Sequence, residues 1–142
     1  MVVGYMKTRS NRKKTKKTPS QIKNHLVEVF LGLLNSIKLY HWKTYSFSQH
    51  KATDELYSKM NEHIDKFMEI LLGKDQSRIP DFNIRVPLVN DASFKDRILK
   101  YREFLIDMTR TFDKERDTDL LNVRDEILGD VNQFLYLLTF NK

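Results

Sequence analysis

The chain has 142 residues, 40% hydrophobic and 31% charged, with 25 Lys and Arg against 19 Asp and Glu and a formal net charge of +6. It has no cysteine, which excludes a disulfide framework, a zinc–thiolate site and thiol chemistry. The length suits one domain with its own core, and four glycines and three prolines are few enough to suit an all-α protein.

The opening MVVGYMK is too short for the apolar segment of a signal peptide and runs into charges. The most apolar run, VEVFLGLL, carries Glu28 and is too short to span a bilayer. An intracellular chain with no membrane segment is expected. Residues 1–18 contain Lys7, Arg9, Arg12, Lys13, Lys14, Lys16 and Lys17 and no acid. These account for the whole positive excess, because the remaining 18 basic residues nearly balance the 19 acids. With almost nothing to bury, this stretch reads as a disordered basic tail, and residues 19–142 as the folded body.

Thr18 and Pro19 mark a helix start, as N-cap and first helical residue. Ile22, Leu26, Val29, Leu33, Ile37 and Tyr40 recur at spacings of three and four and carry the first helix to about Lys43, with Val27, Leu31 and Leu34 widening its stripe. TYSFS is a short connector in which Ser46 or Ser48 caps the second helix. That helix runs to about Leu72 with Leu56, Met60, Ile64, Phe67 and Leu71 inward, and Gly73 is the expected stop. Residues 74–91 hold two prolines and no helical period, so they form a long crossover. Ser93 and Asp96 offer a capping box for a third helix, which extends to about Lys114. RDTD breaks it, and a fourth helix spans about Asp119 to Phe140 on Leu120, Val123, Ile127, Val131, Phe134 and Leu138. Four helices with one long connection in the middle is the ferritin-like bundle topology.

The second helix also carries a polar stripe. At ~100° per residue, His50, Asp54, Asp65 and Glu69 fall within about 100° of arc. His50 and Asp54 are neighbours one turn apart, as are Asp65 and Glu69, but the two pairs lie ~16 Å apart along the axis, too far to share one ion within a chain. Two copies of the helix packed antiparallel, with a two-fold axis between Lys59 and Met60, bring His50 and Asp54 of one copy opposite Glu69 and Asp65 of the other at a single register. Hard oxygen and imidazole suit Fe(II), Mn(II) or Zn(II). His41, at the end of the first helix, can add a second imidazole near His50. Spacings of four also describe an ordinary solvated helix face, and that reading stays open at this point.

The stretch LYHWKTYSFSQHKATDELYSKMNEHIDKFMEILLG resembles the centre of Dps proteins, ferritin-like mini-ferritins that protect DNA in starved cells. The resemblance covers about residues 26–73 and rests on His41-Trp42, His50, Asp54, Asp65 and Glu69. It implies an intersubunit ferroxidase centre with His41, His50 and Asp54 from one subunit and Asp65 and Glu69 from its two-fold mate. It further implies a hollow homo-oligomeric shell, commonly of twelve subunits, and oxidation of Fe(II) by peroxide or oxygen with storage of ferric mineral. The lysine-rich tail is similar to those through which many members bind DNA. The chain departs from the family in having about three fewer residues between His41 and His50, with no Gly-Pro there. Its crossover also lacks the family's glycine-rich form and short helix.

Trp42 reads either as packing over the metal site or as an interfacial aromatic. His63 points ~160° away from Asp65 and reads as a packing or surface residue, and His25 as a surface or second-interface residue. Asp119, Asp125 and Asp130 read as helix-terminal or surface acids that could attract cations in a shell. The tail suits phosphate contact without base readout. The rival function is a structural nucleic-acid-packaging protein with a vestigial metal site, and a third is Zn(II) or Mn(II) merely fastening the dimer. A nucleoid, nuclear or virion setting fits the tail equally.

Overall fold

The structure is a computed structural model that describes residues 16–140 except Pro87. Thr18 opens the first helix, α1 (Pro19–Lys43): its hydroxyl accepts from the Gln21 amide and the Gln21 side chain accepts from the Thr18 amide. This reciprocal capping box satisfies two amides that the helix itself leaves free. The second helix, α2 (Phe47–Asp75), begins after a three-residue corner and is capped by Ser46, whose hydroxyl accepts from the Gln49 amide. Ser48, the other candidate cap, lies inside the helix.

Gly73 does not stop α2. The helix continues to Asp75 and ends on Gln76, in the left-handed region at φ 56°. Tertiary ion pairs outweigh the glycine here, because Lys74 reaches Asp117 and Asp119 while Asp75 binds Lys23. The third helix, α3 (Asp91–Asp107), starts two residues before Ser93, since the Asn90 carboxamide accepts from the Ser93 amide at 3.0 Å and takes the capping role. It also ends earlier than Lys114, passing into a 3-10 turn at Met108–Arg110. There the buried Arg124 guanidinium donates to the Leu105 carbonyl and the Thr109 hydroxyl, and Asp113 accepts from the amides of Glu115 and Arg116. The fourth helix, α4 (Thr118–Leu137), stops short of Phe140.

The protein is all-helical among its described residues, and none of these helices is long and apolar enough to cross a membrane. The predicted inward positions of α2 are all buried, as are those of α4 except the half-buried Leu138. In α1, Ile22 and Val29 are only half-buried, while Phe30, absent from the predicted stripe, is 1% exposed. Phe30 meets Phe67 edge-on at 5.2 Å, where α1 crosses α2.

Aromatic and ionic contacts define the ends of the bundle. Tyr40, late in α1, stacks on Phe94, early in α3, at 3.9 Å, and Phe94 meets Phe134, late in α4. The opposite end holds the Lys23–Asp75 and Lys74–Asp119 pairs. Thus α1 and α4 run one way and α2 and α3 the other, and the contacting pairs α1–α2, α2–α4, α3–α4 and α1–α3 are all antiparallel. The crossover must therefore travel the length of the bundle, ~40 Å at ~1.5 Å per residue of helix. Residues 76–90 are about 15 in number, so a helix would cover little over half the span and only drawn-out chain, at up to ~3.3 Å per residue, reaches. This explains why no helix forms there.

Truncating Phe67, 0% exposed, to Ala is expected to destabilise the fold by about 3–5 kcal/mol, read as a lowered urea midpoint with unchanged slope. The Lys23 ammonium, and then the Ser77 hydroxyl, lower the Asp75 carboxyl to about 2 from 3.8. A depressed folded-state value gives stability that is present above about pH 4 and lost as pH falls towards 2. Thermal melts of Asp75→Asn should accordingly show a shallower decline across that window than wild type.

Candidate metal centre at the corner of α1 and α2

His41 stands in the last turn of α1 and His50 in the first turn of α2. The three-residue corner folds them face to face, with ring centroids 3.8 Å apart and 18° between planes. His41 Nδ1 lies 2.8 Å from the His50 carbonyl oxygen, and His50 Nδ1 lies 2.9 Å from the His41 carbonyl oxygen. A carbonyl only accepts, so each ring donates from Nδ1, and in the neutral imidazole Nε2 is then the acceptor nitrogen. Such second-shell contacts orient an imidazole for a metal ion.

Buried Thr53 braces the pair. Its hydroxyl donates towards the Gln49 and His50 carbonyls at 2.8 and 3.0 Å, and its oxygen sits 3.1 Å from His41 Nδ1. Tyr40 donates to the Gln49 side chain, and burial holds its hydroxyl above the usual phenol value, which keeps it a neutral donor. Thr53 and Gln49 carry no sequence signal for this role: a threonine three residues past a histidine is an ordinary helical neighbour.

Asp54, Asp65 and Glu69 are exposed along α2, and none has an ion-pair partner among the described residues. Of the other α2 acids, Glu55 binds Lys59 and Asp75 binds Lys23, while Glu62 is exposed and has no ion-pair partner among the described residues either. A groove beside the stripe is lined by Val27, Leu31, Leu34, Ile64, Asp65 and Met68. Among the described residues, no group of three or more His, Asp or Glu side chains stands close enough to hold a metal ion. One chain by itself supplies two imidazoles and a separate row of carboxylates.

Trp42 is 71% exposed and does not lie buried over the histidines. The Lys38 ammonium stands 6.0 Å from its ring and 4.0 Å over Tyr57. Tyr45 and Phe47 are exposed at the same corner. His63 is half-buried between α2 and α4, 2.8 Å from Asp130 and 3.3 Å from Glu126, away from the stripe. His25 is exposed and meets Phe104 edge-on. Lys16 and Lys17 are exposed, whereas Lys7, Arg9, Arg12, Lys13 and Lys14, with most of the expected disordered tail, lie outside the described residues.

A family of unknown function, DUF5856, matches residues 41–138. The chain belongs to this family. The matched region contains all of His41, His50, Asp54, Asp65 and Glu69 and excludes the basic tail. The chain is also similar to an uncharacterized 14.6 kDa protein from the mobD-ri intergenic region of Enterobacteria phage T4. The two are 30% identical over 115 residues, covering 78% of this chain and 85% of the relative. No solved structure matches the chain.

Long-range 1H–15N spectra of metal-free protein at alkaline pH should show Nδ1 protonated and Nε2 as the unprotonated nitrogen in both His41 and His50. The reverse tautomer in either ring would remove it from the ligand set.

Proposed function

We propose that this protein is a Dps-like ferroxidase. In this reading it is a ferritin-like four-helix bundle that self-associates about a two-fold axis along α2. It takes Fe(II) as substrate at two equivalent seams, stores the ferric product in an oligomeric shell and protects nucleic acid held by its basic tail. The observation that carries the reading is the His41–His50 clasp, in which both Nδ1 atoms are engaged by main-chain carbonyls. In the neutral rings this leaves both Nε2 atoms as acceptors, on the same side of the fold as carboxylates that have no ion-pair partner among the described residues. The shortened corner, which departs from the Dps pattern, still brings the two histidines together. The helix order, with antiparallel neighbours and one bundle-length crossover, also fits a ferritin-like fold.

Each seam would combine His41, His50 and Asp54 of one copy with Asp65 and Glu69 of the other. The chemistry of the donor set fits iron, and Zn(II) or Mn(II) would fit the same atoms. In this reading Asp65 would be shared between the ions, His50 and Glu69 would each hold one side, and Asp54 and His41 would complete the set. Two Fe(II) ions give up one electron each, and one peroxide with two protons becomes two waters. Paired electron delivery avoids a free hydroxyl radical.

Metal-free protein titrated with Fe(II) under peroxide or air should oxidise it faster than buffer, saturating at about one to two ions per chain, as a two-metal seam requires. Asp65→Ala and His50→Ala should each slow the reaction about tenfold or more. An unchanged rate in Asp65→Ala refutes the site. The packaging reading draws on the isolation of positive charge in the tail, and the phage relative fits a virion or nucleoid setting. If the tail holds nucleic acid, deleting residues 1–18 abolishes salt-sensitive DNA retention and leaves Fe(II) oxidation intact. A protein that retains DNA through its tail but oxidises no Fe(II) would favour packaging.

A further inference from the structure

The crossover carries a pattern that neither the bundle nor the metal-site reading uses. Residues 81–86, DFNIRV, alternate polar and apolar, the period of a strand rather than a helix. Asp81, Asn83 and Arg85 are exposed, Phe82 is 37% and Val86 61% exposed, and Ile84 is half-buried. No backbone–backbone hydrogen bond involves residues 81–86 among those described. Asp81 and Arg85 have no ion-pair partner among the described residues either. The segment thus presents a row of free amides and carbonyls, two unpaired opposite charges and partly exposed apolar side chains, the features of an open strand edge.

We propose that residues 81–86 pair antiparallel with the same segment of a second copy of this chain, forming a two-stranded ribbon centred on Asn83. The sequence is self-complementary at that register. Asp81 faces Arg85 of the second copy, Phe82 faces Ile84 of the second copy, Asn83 faces its own equivalent, and each contact is repeated by the two-fold axis. Opposite charges and apolar pairs directly across a ribbon stabilise it. All apolar residues share one face and all polar residues the other, whereas a slip by one residue would set Phe82 against Arg85.

The two prolines agree with this register. With Asp81, Asn83 and Arg85 as the hydrogen-bonded positions, Pro80 falls at a position that donates nothing to the ladder, so its missing amide hydrogen is harmless. Pro87 falls at a position where a donor is required, so pairing ends at Val86. The drawn-out crossover leaves these backbone groups without backbone partners among the described residues, and a second copy provides them. This contact rests on no metal site.

The test is self-association of the full chain, measured by sedimentation velocity, together with amide exchange. Asp81→Arg and Arg85→Asp alone each set like charges across the ribbon and should weaken association about tenfold. The double variant Asp81→Arg/Arg85→Asp should restore it. Raising the protein concentration should protect the amides of residues 81, 83 and 85 and leave those of 82, 84 and 86 exchanging. Because both side chains are exposed, circular dichroism should show unchanged helix content in every variant. Single variants that associate like wild type, a double variant no better than the singles, or protection without this alternation would each overturn the ribbon. Fe(II) oxidation in the same variants is read separately, so loss of the ribbon and loss of the metal seam are distinguishable.

Discussion

A chain that finishes α2 at one end of the bundle and starts α3 at the other has to cross the full height of the core with about 15 residues. That length constraint governs the molecule. It sets α2 and α3 parallel to each other at diagonally opposite corners, which leaves each helix two antiparallel neighbours. It keeps the crossover from coiling, because helix rises too little per residue to reach. Among the described residues, no further helix covers the outer face of the α1–α2 hairpin. The polar stripe and the groove beside it are available for the same reason.

The corner between α1 and α2 is a contrasting economy of chain. Three residues reverse the direction, and the two histidines flanking the turn satisfy each other's carbonyls. An imidazole whose Nδ1 donates to a carbonyl is fixed in tautomer as well as in orientation. Stacked as they are, the rings share the cost of ordering with Thr53, Tyr40 and Gln49 beneath them. A surface histidine with no such partners would be free to rotate. This pair is held before any ligand arrives, which is what preorganised binding requires.

Charge is divided by location. Many acids of the body are matched by nearby bases: Asp75 by Lys23, Asp117 and Asp119 by Lys74, Glu55 by Lys59. Asp54, Asp65 and Glu69, on one face of α2, have no such match among the described residues, and neither has Glu62 on the same helix. Unpaired carboxylates in a row repel one another, and either counter-ions or a metal relieves the repulsion. Asp81 and Arg85 are a second unmatched set, of opposite sign, on the crossover.

Much of this was legible in the linear chain. Periodicities of three and four placed the inward residues of α2 and nearly all those of α4, because a helix has to bury one face whatever its neighbours are. Thr18-Pro19 marked the start of α1 because capping is a local interaction. The face shared by His50, Asp54, Asp65 and Glu69 likewise follows from helical geometry alone. Helix ends decided by distant partners were not legible. Gly73 failed to stop α2 because Lys74 and Asp75 bind residues far away in sequence, and α3 ended early where Arg124 from α4 engages the Leu105 carbonyl and the Thr109 hydroxyl. Phe30 was absent from the predicted stripe, and α2 and α3 cover it from two sides. The clasp of His41 and His50 was the last of these. The sequence places two histidines on either side of a short turn, but only the folded corner sets their rings in contact and assigns the tautomers, since hydrogen bonds to main-chain carbonyls exist only once the backbone has taken its path.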